Sequence, residues 1–71
     1  MIWLFERQGK YLRYEARPAS DGLGYELVIT YPDGAELVER LHDSAALSRR
    51  QKELEGHLSK EGWSGPHGWF A

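Results

Sequence analysis

The run Ile2-Trp3-Leu4-Phe5-Glu6-Arg7-Gln8-Gly9-Lys10-Tyr11-Leu12-Arg13-Tyr14-Glu15-Ala16-Arg17 decides the fold. It holds two β-prone segments, Ile2 to Arg7 and Lys10 to Arg17, which meet at Gln8-Gly9, a two-residue turn of the kind that joins antiparallel strands. A two-residue turn there pairs residues whose numbers sum to 17, so Phe5 faces Leu12 and Trp3 faces Tyr14. Directly opposed residues share a face. One face then carries Trp3, Phe5, Leu12 and Tyr14, while the other pairs Ile2 with Glu15, Leu4 with Arg13 and Glu6 with Tyr11. A slip of one residue in one strand scrambles this sorting, which is the argument for the register.

The second hairpin follows a Pro-Ala-Ser-Asp-Gly-Leu-Gly connection over residues 18–24. Tyr25 to Tyr31 reads as a strand, and Tyr31-Pro32-Asp33-Gly34 as a turn, with proline presetting its first central position and Gly34 suited to a left-handed bulge. A three-residue loop pairs residues summing to 66. Tyr25 then meets Leu41, Leu27 meets Glu39 and Ile29 meets Leu37 on one face, with Val28 opposite Val38 and Glu26 opposite Arg40 on the other.

Asp43 is a good N-cap for a helix over 43–61. Leu47, Leu54 and Leu58 lie within about 40° on its wheel. Gly62 stands where a glycine ends a helix, with Trp63 placed to fold back on Leu58. Residues 62–71 read as an aperiodic aromatic tail. The predicted fold is α+β in the order ββββα: a four-stranded antiparallel sheet of two hairpins (1–17 and 25–41), one C-terminal helix on one face, and the tail, all in one small domain over 1–71. A simple meander is the expected strand order. Trp3, Phe5, Leu12, Tyr14, Tyr25, Leu27, Ile29 and Leu37 are expected on the helix side. Three leucines cannot cover that surface, because Arg50 and Gln51 interrupt their stripe, so Trp63, Trp69 and Phe70 are expected to dock beside the helix and complete the core.

Seventy-one residues, 41% hydrophobic and 28% charged with a net charge of −2, describe a small globular chain rather than a collagenous or disordered one. No apolar run reaches the roughly 18–20 residues of a membrane span. The start, Met1-Ile2-Trp3-Leu4-Phe5-Glu6-Arg7, lacks the shape of a signal peptide. The absence of cysteine excludes disulfides and thiolate chemistry. A cytoplasmic location without membrane contact is the corresponding expectation.

Chemical motifs fail on inspection. Gly62-Trp63-Ser64-Gly65-Pro66 has proline in place of the last glycine of a nucleophile elbow, and it follows a helix instead of a strand. Gly22-Leu23-Gly24 leads into a strand, with Leu27 where a dinucleotide fingerprint needs its third glycine. Glu53, His57 and Glu61 are spaced by four, but such neighbours are routine on solvated helices. No catalytic residue, cofactor site or metal site is therefore assigned, and the chain is expected not to be an enzyme.

Charge divides by segment: residues 1–17 carry a net +2 and residues 18–42 a net −4. This asymmetry favours neighbouring placement of the two hairpins or head-to-tail contacts. The ββββα order resembles, in topology alone, the protomers of transcription-cofactor and whirly-type single-strand DNA-binding proteins, and no residues carry over from that resemblance. It implies, as the alternative reading, a single-strand nucleic-acid binder using the open sheet face, with Tyr11 beside Arg13 as the best fragment of a stacking platform. Against it stand the acidic second hairpin and the net negative charge. The leading expectation is a small non-catalytic interaction or regulatory module, self-associating as a homodimer or binding another protein. Its contact face is Ile2, Leu4, Tyr11, Arg13, Val28 and Val38, residues too apolar for a fully solvated surface yet interleaved with charge.

Overall fold

The computed structural model describes residues 2–69, with side-chain surroundings for residues 2–67. The order is β1 (Ile2–Arg7), β2 (Lys10–Pro18), β3 (Tyr25–Thr30), β4 (Glu36–Leu41), α1 (Ser44–Lys60) and β5 (Ser64–Trp69). All pairings are antiparallel, and the strands lie in the order β4-β3-β2-β1-β5. The first four strands form the expected meander, in α+β architecture with the helix on one face. Both hairpin registers are the expected ones: Trp3 faces Tyr14 and Phe5 faces Leu12 in the first, and Ile29 faces Leu37 in the second.

The turns explain why. Gln8 and Gly9 both take positive φ, at 53° and 77°, the backbone of a tight turn whose twist matches that of the strands. In the second hairpin the Tyr31 N–H donates to the Ala35 carbonyl at 2.8 Å and the Gly34 N–H donates to the Tyr31 carbonyl at 2.9 Å, closing the three-residue loop. Gly24 has no alternative residue: at φ +92° a Cβ there would lie inside contact distance of the Leu41 carbonyl. The loop of residues 19–24 is thereby held close to the end of β4.

The Asp43 side chain accepts from the Ala46 N–H at 2.7 Å and opens α1. At the other end the Gly62 N–H donates to the Ser59 carbonyl and the Trp63 N–H to the Leu58 carbonyl, at 3.1 and 3.0 Å. This double bond pattern, with the hydrophobic residue following the glycine, turns the chain back on the helix.

The core joins Phe5, Leu12, Tyr14, Leu27 and Ile29 of the sheet to Leu54 and Leu58 of the helix and to Trp63, with Trp3, Ala16 and Leu41 packed at its margin. Trp3 and Phe5 stack on Tyr14, with centroids 4.8 and 5.8 Å apart. Tyr25 is half-buried, while Leu37 is 43% exposed, although the register puts it on the helix side. Leu47 is half-buried, so the helix closes the sheet mainly through Leu54 and Leu58.

The tail departs from expectation. Trp63 does dock against the helix and completes the core, 9% exposed. Beyond it, residues 64–69 are not a folded-back tail but a fifth strand on the outer edge of β1, with Ile2 opposite Trp69, Trp3 opposite Gly68, Leu4 opposite His67 and Glu6 opposite Ser64. A register shift between Leu4 and Glu6 accommodates Gly65 and Pro66. The physical reason is that β1 otherwise presents unpaired backbone groups, which a returning chain can satisfy whatever its side chains. The expected docking of the Trp69 and Phe70 side chains lies outside the described residues.

Candidate functional site

The register brings the six contact-face residues to one side of the sheet, the side away from the helix. One row across the strands runs His67, Leu4, Arg13, Thr30, Glu36. The next contains Ile2, Glu15, Val28 and Val38, and Tyr11 stands opposite Glu6 at the turn end. Exposure divides them. Tyr11 and Val38 are 55% and 53% exposed, Arg13 is exposed, and Ile2 and Leu4 are half-buried. Val28 is only 7% exposed even though no helix covers it. It lies on an inner strand between Glu15 and Val38, with a neighbouring strand on either side. Val28 therefore forms the base of this face instead of a point of contact.

The charges on this side are organised. Arg17 reaches Glu26 at 3.2 Å and Glu15 at 3.9 Å, and Arg13 lies 3.6 Å from Glu15. Arg17 of the basic hairpin stands directly opposite Glu26 of the acidic one, so the neighbouring placement expected from the segment charges is realised at the β2–β3 seam. Arg40 pairs with Asp21 and donates to the Leu23 carbonyl at 3.1 Å. The hydrogen bond from Arg40 holds the Asp21 carboxyl below its ordinary pKa, helped by the Leu23 N–H. Glu6, across the strand pair, raises the pKa of the Tyr11 hydroxyl by hydrogen bonding and by its charge.

Two polar residues that interrupt apolar patterns answer one another on the helix side. Glu39 stands on the apolar face of β4, and Arg50 breaks the leucine stripe of α1. Arg50 Nε and Nη2 donate to the two Glu39 carboxylate oxygens at 2.7 and 2.8 Å. This bidentate pair holds Glu39 below the usual carboxylate range, against the opposing effect of partial burial. Each residue looks misplaced in its own element, and only their juxtaposition explains both. Tyr14 likewise donates to Glu55 Oε1 at 2.8 Å, and burial, reinforced by that bond, pushes its hydroxyl pKa far up.

Where the hairpin turns approach the end of the helix, an open groove of about 770 Å³ has Leu12, Ile29, Leu54 and Leu58 at its floor. Those four are buried core residues and contribute little to the groove's accessible wall. At its rim Arg7 donates to the Glu61 carbonyl at 2.9 Å and lies over the Trp63 ring, 4.7 Å from the centroid. Arg7 thus caps the helix and clamps the core tryptophan.

The remaining candidates for chemistry are placed as follows. His57 lies 3.4 Å from Glu61 on the exposed side of α1, and His42 pairs with Asp43 at 3.2 Å. Among the described residues no three histidine, aspartate or glutamate side chains converge as a metal-holding group. Ser64 Oγ donates to the Glu6 carbonyl at 3.1 Å and so fastens β5 to β1. No helix among the described residues is long and apolar enough to cross a membrane. Comparison with protein-family models, with curated proteins and with solved structures finds no match.

Proposed function

We propose that this chain is a small non-catalytic interaction module of the cytoplasm that associates with itself or with another protein through the helix-free side of its sheet. The observation that carries this reading is the composition of that side: exposed Tyr11 and Val38 and half-buried Ile2 and Leu4 are interleaved with the paired charges of β2 and β3. Apolar side chains alternating with mutually paired charges suit a protein contact better than a fully solvated surface. The perturbed carboxyls favour the same reading. Asp21, Glu39 and Asp43 are held low by an ion pair, a bidentate pair and a helix cap, all structural tasks. A single-strand nucleic-acid platform is less well supported, because Arg13, Arg17 and Arg40 each have a carboxylate partner within 4 Å, leaving little net attraction for phosphate.

Sedimentation equilibrium from micromolar to millimolar concentration, with and without a labelled single-stranded oligonucleotide, tests the proposal. A weight-average mass that rises with concentration and no co-sedimenting oligonucleotide are the expected results. Tight oligonucleotide binding that weakens steeply with salt would replace this reading with the nucleic-acid one.

A further inference from the structure

The two edges of the sheet are unlike. On the outer edge, β5 carries Gly65, Pro66 and Gly68 and a register shift, features that blunt an edge against further pairing. On the other, β4 is a regular six-residue strand, Glu36–Leu41, without proline, glycine or lysine. Its side chains at Leu37 and Val38 are 43% and 53% exposed, on opposite faces. The one inward-pointing charge that would deter a partner strand, Glu39, is already neutralised by Arg50.

The hydrogen-bond phase of the hairpin fixes what β4 offers. The Tyr31–Ala35 pair closes the loop through the Tyr31 N–H. Because hydrogen-bonded pairs alternate along an antiparallel ladder, Leu37, Glu39 and Leu41 bond inward to β3. The N–H and C=O groups of Glu36, Val38 and Arg40 therefore point outward. These are also the residues whose side chains lie on the helix-free side.

We infer that β4 is the seat of self-association: two copies join edge to edge and antiparallel, with Val38 on the two-fold axis. In that register Val38 faces Val38 of the second copy, and Glu36 of each copy faces Arg40 of the other. Every outward backbone group of Glu36, Val38 and Arg40 then finds a partner. Shifting the partner two residues toward the end of β4 sets Val38 against Arg40 and Glu36 against His42, and shifting it four sets Arg40 against Arg40. Shifting it two residues the other way leaves Glu36 facing Val38. Charge complementarity thus selects the Val38-centred register, since opposite charges directly across stabilise and like charges oppose. Arg40 pairs with Asp21 in its own copy, but its half-exposed guanidinium has further donors for Glu36 of the other. The two-fold axis runs perpendicular to the sheet, so both helices stay on one side and the two helix-free sides merge into one continuous surface. A six-residue edge is a small contact, of the class below about 1,200 Å² that gives weak, reversible association.

This inference rests on the self-association reading above but moves the contact between copies from the helix-free side to the β4 edge, and the experiment separates the two. Dissociation constants are measured by sedimentation for the wild type and for Glu36→Arg, Arg40→Glu and Val38→Lys, with far-UV circular dichroism to verify folding. Each variant should weaken the dimer by about tenfold or more. An equimolar mixture of Glu36→Arg with Arg40→Glu should recover it, because each arginine then faces a glutamate. Hydrogen exchange on the wild type needs no variant: amide protection of Glu36, Val38 and Arg40 should rise with protein concentration. A dimer unaffected by these substitutions, or without concentration-dependent protection on β4, overturns the edge while leaving self-association through another surface. A wild type that stays monomeric up to millimolar concentration overturns both.

Discussion

Trp63 is the residue whose removal tests the architecture most directly. It belongs to no strand or helix, and its side chain packs with Leu54, Leu58 and the sheet core while Arg7 lies over its ring. Trp63→Ala removes the indole from a site 9% exposed and leaves a cavity at the end of the helix. Truncations of buried aromatics to alanine cost about 3–5 kcal/mol. A chain of 71 residues, at about 0.05–0.15 kcal/mol per residue, has about 4–11 kcal/mol in total. The substitution should therefore take about a quarter or more of the stability and lower Tm by at least about 12 °C, using about 4–8 °C per kcal/mol for domains of this size. Urea unfolding followed by far-UV circular dichroism is the suitable assay, since tryptophan fluorescence changes with the substitution itself. Arg7→Ala, which removes the clamp but leaves the indole, should cost about 1 kcal/mol. A loss below about 1 kcal/mol for Trp63→Ala, at unchanged m-value, would show that the chain after the helix does not close the core.

Two further predictions concern the polar pairs of the helix side. The folded-state pKa of Glu39 lies below its ordinary value of 4.5, so its pairing stabilises fully above pH 4.5 and fades as pH falls through the folded value. Glu39→Gln should cost about 1–2 kcal/mol near neutrality and flatten the acid limb of stability against pH, read from urea midpoints. The Tyr14 hydroxyl is shifted upward, so its contribution is complete below the ordinary value of 10.0 and is lost as pH rises toward the folded value. Tyr14→Phe keeps the ring stack, should cost about 0.5–1.5 kcal/mol, and should blunt alkaline unfolding above pH 10.0 as followed by circular dichroism.

Both hairpins were legible because each carries two independent signals that agree. Alternation sorts the faces, and Gln8-Gly9 and Pro32-Asp33-Gly34 set the loop lengths, so turn and register reinforce one another. The helix start and stop were equally local. The strand Ser64–Trp69 was not legible, since Gly65, Pro66 and Gly68 remove both alternation and β-propensity. Its pairing is dictated by the vacant edge of β1, whose paired residues lie 58 or more positions away in sequence. The Glu39–Arg50 pair was hidden for a related reason. Each residue violates the pattern of its own element, and a pattern has no means of matching two violations across the fold. On the contact face, sequence alternation placed Val28 on the correct side but did not reveal that its inner-strand position buries it.

The charge arrangement narrows the kind of partner that suits the helix-free side. The basic first hairpin and acidic second hairpin leave no separate positive and negative lobes, because β2 and β3 are adjacent and Arg17 pairs with Glu26 across their seam. Arg13 and Glu15 extend the same compensation along β2. Exposed pairs of this kind contribute little stability, about 0–1 kcal/mol each. Their effect on recognition is larger, since a face whose cations are already matched exerts little long-range pull on a polyanion. Glu36 and Arg40 differ in that they stand at the edge, two residues to each side of Val38, with Glu36 showing no ion pair among the described residues and Arg40 held by Asp21. A second β4 strand meets that edge with the opposite sign at each position. A face that is neutral within and complementary at one border selects its partner by backbone pairing and register, which is the recognition a second copy of the same strand supplies.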